Sequence, residues 1–143
     1  MDIKRVTEFS ELEGISQLQR ANLRRLLSPG EMDREGFVTA EYSIEFLQAM
    51  HDAEPSIIAK DGDTVVGYAL VATREVSARH PLLAFLVDII DRTVYAGRPL
   101  SAVHYVVVGQ LCVAKGYRGQ GLVQRMYDFY RESLSERYSC CLT

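Results

Sequence analysis

Leu111-Cys112-Val113-Ala114-Lys115-Gly116-Tyr117-Arg118-Gly119-Gln120-Gly121-Leu122-Val123 is the stretch on which the reading of this chain turns. It emerges from a long β-favouring run, Ala102 to Ala114, whose valines, tyrosine and leucine suit a strand. It leads into an amphipathic helix marked by Leu122, Met126, Phe129, Tyr130, Ser133 and Leu134 and expected to run to about Tyr138. A glycine-rich turn that opens a helix leaves backbone N–H groups without intrahelical partners and adds the positive end of the helix dipole. Glycines also let an anion approach the backbone closely, and Arg118 can add a charge-assisted contact. The local physics favours a diphosphate.

Known phosphate-binding turns differ in their spacing. A P-loop needs Gly-Lys-Ser or Gly-Lys-Thr at the helix start, and no such tripeptide is present. A dinucleotide fingerprint needs a third glycine, which Gly119-Gln120-Gly121-Leu122-Val123-Gln124 lacks, and a later strand to place a ribose-binding acid. A third pattern runs Arg or Gln, two residues, Gly, one residue, then Gly or Ala. Arg118, Gly121 and Val123 occupy its positions, with Val123 larger than the usual small residue. This stretch resembles the acyl-CoA pyrophosphate loop of the GNAT superfamily of N-acyltransferases. Ile57-Ile58-Ala59-Lys60-Asp61-Gly62-Asp63-Thr64-Val65-Val66-Gly67-Tyr68 looks like that family's second and third strands, and Leu111-Cys112-Val113 like its fourth.

Working outward, Ile3 to Thr7 reads as an edge strand, and Phe9 to Leu27 as an amphipathic helix that Ser10 is placed to cap. A second helix spans Ser43 to Ala53. Pro55 to Lys60 and Thr64 to Thr73, separated by Asp61-Gly62-Asp63, predict a β-hairpin. His80-Pro81 opens a further apolar helix expected to reach about Tyr95, before Gly97-Arg98-Pro99 breaks it. Gly109 inside the next strand signals a bulge or a close backbone approach. Ser139 to Thr143 can begin one more strand.

The resemblance covers this order from Ile3 to about Tyr138, apart from the insertion Val76 to Ser101. It implies an α/β (α+β) fold: a mixed, mostly antiparallel central sheet flanked by helices, with a helical insertion between the third and fourth strands. It implies one acyl-CoA-binding domain over residues 1–143, C-terminally incomplete, because the helix and two strands that usually follow in the family are not in this sequence. The tyrosine that often protonates the leaving thiolate belongs to that missing part, and Tyr138 does not match its position. The implied activity is transfer of an acetyl group from acetyl-CoA to a primary amine by direct attack on the thioester.

By the same resemblance, the backbone of Cys112 and Val113 pairs with the pantetheine arm like an added strand, and Leu111 belongs to the same cofactor-binding stretch. Arg118, Gly119, Gln120, Gly121, Leu122 and Val123 hold the pyrophosphate, and the acyl carbonyl lies near Gly109-Gln110. An attacking amine must be neutral, and for a lysine-like pKa of about 10.4 deprotonation at pH 7 costs roughly 4.6 kcal/mol. His104, at the start of the fourth strand, and Glu75, at the end of the third, are the candidate catalytic relays, against the plainer reading of His104 as a strand-end histidine. Cys112 is read as inert, and so is His80 before Pro81.

Composition bounds these readings. With 143 residues, 48% hydrophobic and 24% charged, the chain is sized and composed for one folded domain. A net charge of −3 argues against a nucleic-acid partner. The three cysteines, Cys112, Cys140 and Cys141, match neither a CxxC motif nor a zinc site, so no metal is expected. Without a signal peptide or a membrane-length apolar run, the expected setting is cytoplasmic. The expected partner is a small-molecule or peptide amine, and an exposed last strand would favour a homodimer. Two other readings stay open: a catalytically inactive CoA-binding or regulatory module, and a small α/β interaction domain.

Overall fold

The computed structural model describes residues 1–26, 41–138 and 140–142. Its centre is the hairpin of β2 (Ile57–Asp61) and β3 (Thr64–Thr73). Asp61 pairs with Thr64, which leaves Gly62-Asp63 as the turn, and Gly62 turns the chain at φ +60°, where a side chain would be strained. β1 (Asp2–Arg5) adds antiparallel to the outer edge of β2, as an edge strand.

Among the described residues, four helices lie between these strands and the functional stretch or beside it. α1 (Phe9–Leu26) and α2 (Ile44–Ala53) precede the hairpin. α3 (Arg74–Ser77) and α4 (Pro81–Asp91) follow it. A small ribbon of β4 (Val94–Tyr95) and β5 (Arg98–Pro99) completes the insertion. β6 (Tyr105–Val113) then pairs antiparallel with β3, and α5 (Leu122–Leu134) follows the glycine-rich loop. β7 (Cys140–Leu142) joins β6 in parallel, giving the order β1-β2-β3-β6-β7. The fold is therefore a mixed, mainly antiparallel sheet flanked by helices, with the insertion between its third and fourth strands.

Both sheet faces are covered, which explains why β3 is buried almost continuously rather than at alternate residues. On one face Leu12 and Ile15 of α1, Leu47 and Met50 of α2, Val76 and Leu83 pack on Ile58, Tyr68, Leu70, Tyr105, Val107 and Cys112. On the other, Leu122, Met126, Tyr130 and Leu134 of α5 pack on Ile57, Ala59, Val66, Val71, Val106 and Val113.

Several boundaries differ from the sequence reading. Ser10 lies inside α1 and donates to the Glu8 carboxylate at 3.4 Å. The start of α1 is capped by Glu11, whose Oε1 accepts from the N–H groups of Thr7 (2.9 Å) and Glu8 (3.2 Å). The inserted helix stops at Asp91 and not at Tyr95, because Ala96 (φ 53°) and Gly97 (φ 79°) form a left-handed turn that pairs Val94–Tyr95 with Arg98–Pro99. β3 gives way at Thr73, whose hydroxyl accepts from Val76 N–H and starts a one-turn helix, so Glu75 is helical rather than strand-terminal. α5 ends at Leu134; beyond it Arg137 and the Tyr138 hydroxyl both reach the buried carboxylate of Glu54, at 2.5 and 3.1 Å.

Candidate active site

The site is built along β6. Ala114 N–H donates to Val66 O at 2.8 Å, and Val113 pairs with Gly67 in the same register. Ladder alternation then turns the amide and carbonyl of Cys112 toward β3, and those of Leu111 and Val113 toward the opposite edge. β7 covers that edge only from Tyr105 to Val107. Among the described residues, no strand pairs with the edge from Val108 to Val113. An extended ligand carrying amides can therefore add there like a further strand.

The pairing of β6 with β3 shifts between Ala69↔Leu111 and Val71↔Val108, so three steps on β6 match two on β3. This is a bulge at Gly109-Gln110, where the isolated glycine pointed. A Cβ on Gly109 would lie 3.2 Å from Met50 Cε and 3.5 Å from Ala72 Cβ, so a larger residue would push against α2.

The loop beyond β6 starts with a 3₁₀ turn, Lys115–Tyr117, and is tied to the hairpin by the Tyr117 hydroxyl donating to Asp61 at 2.6 Å. Gly119 and Gly121 both turn left-handed, at φ 76° and 77°, and a Cβ on either would meet nothing within 4 Å. Glycine is thus required by the backbone, while the space around it is open. After the loop Arg125 N–H donates to Gly121 O at 3.1 Å; among the described residues the amides of Gly119 to Gln124 have no backbone acceptor. Leu122 is buried under the loop and Val123 stands 41% exposed at its rim. These features fit a bound diphosphate.

Arg118 does not stand out over the loop. Its Nε donates to Val113 O at 3.0 Å and one terminal nitrogen to Asn22 Oδ1 at 3.4 Å. Asn22 in turn donates to Cys112 Sγ. Further along the same face, the Tyr68 hydroxyl donates to Gln110 Oε1 at 2.6 Å and the Tyr42 hydroxyl to Gly109 O at 3.0 Å. A polar line therefore runs behind β6 from the loop to the bulge. Burial pushes the Tyr42 phenol up to about 12 and raises that of Tyr68 as well, helped by neighbouring Cys112.

The two candidate relays stand elsewhere. His104 immediately precedes β6, exposed, with its ring 4.5 Å from that of Tyr138. Glu75 is exposed in α3, and its charge, after burial and Glu54, helps raise the Tyr138 phenol. The fold thus brings both toward Tyr138, but five residue steps of extended chain, about 16 Å, separate His104 from Gly109. Cys112 is buried, as expected of a small apolar group. Among the described residues, no three His, Cys, Asp or Glu side chains are grouped to hold a metal, and no helix is long and apolar enough to cross a membrane.

Residues 20–142 match the acetyltransferase (GNAT) family, which takes in β6, the loop and α5 together. The chain belongs to the GNAT family. Solved structures with the same fold include the BH1408 protein of Bacillus halodurans, at 12% identity and a TM-score of 0.62, over 99% of this chain and 80% of that one. A ribosomal-protein-alanine N-acetyltransferase of Brucella melitensis aligns at 15% identity and TM-score 0.58, over 99% of this chain and 77% of that one. NAA60 of Arabidopsis thaliana, solved in complex with acetyl-CoA, aligns at 17% identity and TM-score 0.52, over 98% and 72%. No curated protein matches the sequence.

In this GNAT chain the residues that the sequence reading did not single out are Asn22 and Tyr42; Gln110 was read only as part of the bulge and Tyr68 only as part of a strand, and no local motif shows the hydrogen bonds they make. Tyr42 and Tyr68 reach partners 67 and 42 residues away, so only the folded sheet reveals the line they form.

Proposed function

We propose that this protein binds acetyl-CoA and transfers its acetyl group to a primary amine. One observation carries the reading: among the described residues, no strand pairs with β6 between the bulge and Val113, and this stretch leads into a glycine loop whose amides lack backbone acceptors. In this reading the amides of Gly119 to Val123 and the dipole of α5 hold the pyrophosphate, with Arg118 held beside them by Val113 O and Asn22. The pantetheine amides pair with the outward groups of Leu111 and with the N–H of Val113, whose carbonyl accepts from Arg118, while Cys112 is packed behind them in the core. The thioester carbonyl then reaches Gly109-Gln110.

The reaction needs little beyond positioning. The neutral amine nitrogen bonds to the thioester carbon, the carbon–sulfur bond breaks, and the nitrogen loses one proton while the CoA thiolate gains one. The protein's contribution is to align the partners and to stabilise charge on the carbonyl oxygen. His104 lies at the far end of β6 from the bulge and Glu75 follows the Thr73↔Val106 pair at that same end, so in this reading their role is a water relay that carries away the proton. Replacing either by Ala is expected to lower turnover by less than the roughly 10²-fold that a directly acting base contributes.

The test is an amine-dependent thiol-release assay with acetyl-CoA, run over a panel of polyamines, amino-acid amides and N-terminal peptides. Release that depends on both an amine and an intact Gly121 supports the reading. Saturable acetyl-CoA binding with no release on any amine would instead support an inactive CoA-binding module.

A further inference from the structure

A β-bulge carries an extra residue whose backbone is held less regularly than the ladder around it. At Gly109-Gln110 that residue is gripped twice, from separate elements. The Tyr42 hydroxyl, just ahead of α2, donates to Gly109 O at 3.0 Å. The Tyr68 hydroxyl, on β3, donates to Gln110 Oε1 at 2.6 Å. The peptide between the two residues is planar and trans, so Gly109 C=O and Gln110 N–H point in opposite directions, and fixing one fixes the other.

Both tyrosines are almost fully buried, at 2% and 1% exposure. Phenylalanine would fill the same volume without the cost of burying a hydroxyl, and that cost is offset only where the hydroxyl is hydrogen-bonded. Here both hydroxyls go to the bulge. The Tyr42 ring is itself wedged between Phe46, stacked at 5.6 Å, and His80, edge-on at 4.9 Å. His80 is held by accepting from Leu82 N–H at the start of α4, so the insertion buttresses the clamp. Burial keeps both phenols protonated, and therefore donors, across the working pH range.

We infer that Tyr42 and Tyr68 are positioning residues: from behind the sheet they hold the Gly109-Gln110 bulge in the one shape that receives the thioester carbonyl. The inference rests on the acetyl-CoA reading above. Neither hydroxyl touches the acetyl group; they act through the backbone and side chain of the bulge.

Isotope-edited infrared spectroscopy of acetyl-CoA labelled with ¹³C at the thioester carbonyl reads this without knowledge of the acceptor. The wild-type complex is expected to show the carbonyl band moved to lower frequency than in free acetyl-CoA. In Tyr42→Phe, and independently in Tyr68→Phe, the band should return toward the free position while calorimetric affinity for acetyl-CoA is retained. Tyr105→Phe, which removes a hydroxyl bonded to Asp91 at the other end of β6, controls for lost stability and should keep the wild-type band. A wild-type band that is unshifted, or a shift that survives in both folded variants, overturns the inference. Failure of the wild type to bind acetyl-CoA at all overturns the acetyl-CoA reading, and the inference with it.

Discussion

At Gly121 the backbone adopts φ 77° with open space around the missing Cβ, so size and conformation can be tested separately. Gly121→Ala places a Cβ in the left-handed region at a cost of about 1–2 kcal/mol, and is expected to lower stability by that amount in chemical denaturation. Gly121→Trp also fills the space and is expected to abolish acetyl-CoA binding in calorimetry. Glu11 offers a different test. Burial opposes its ionisation, yet Lys4, Thr7 N–H, Lys60 and Glu8 N–H outweigh that and bring its pKa to about 2 from 4.5. A carboxylate with a depressed folded-state pKa adds stability above the unfolded value, and loses it as pH falls through the folded one. Stability should therefore decline between pH 4.5 and about 2, and Glu11→Gln should flatten that part of the curve. The glycines were legible because their demand is local. Glu11 was not: its partners Lys4 and Lys60 lie 7 and 49 residues away.

Among the elements, the insertion is the part whose ends the sequence misjudged and whose anchoring it concealed. The helix-to-Tyr95 expectation failed because Ala96-Gly97 lacks the Asn-Gly or Asp-Gly signature of a left-handed hairpin turn yet adopts one. What fastens the insertion to β6 is Arg74, which pairs with Asp91 at 2.8 Å and lies 4.7 Å over the ring of Tyr105, whose hydroxyl also donates to Asp91 at 2.8 Å. A double-mutant cycle of Arg74→Ala and Asp91→Ala should show coupling of about 0.5–3 kcal/mol in denaturation, as expected for residues in one ion-pair network. At α2, Ser43 accepts from Phe46 N–H at 3.1 Å, and Ser43→Ala should cost about 1 kcal/mol in the same measurement. The β2–β3 hairpin and the bulge were foreseen, since each is specified by residues within a few positions; the Ser43 cap was not, Ser43 having been read only as the start of the helix.

For the whole molecule, strand and helix order were legible because both faces of the sheet are covered by elements with clear periodicity, α1 and α2 on one side and α5 on the other. The parallel partnership of β7 with only the first part of β6 was not, since a three-residue strand carries no signal of its register or direction. Among the described residues, this partial pairing leaves the β6 edge beside the bulge and the loop without a strand partner, which is where the proposed acetyl-CoA site lies. In the proposed function this edge and loop bind acetyl-CoA. The most direct measurement is a thermal-unfolding titration of the protein and of Gly121→Trp with acetyl-CoA. At 100 times Kd, binding adds about 2.7 kcal/mol, enough to raise Tm by several degrees in a domain of this size. A saturable rise is expected for the wild type and none for the folded variant; an unchanged wild-type Tm, or an equal rise in both, would mean that acetyl-CoA is not bound there.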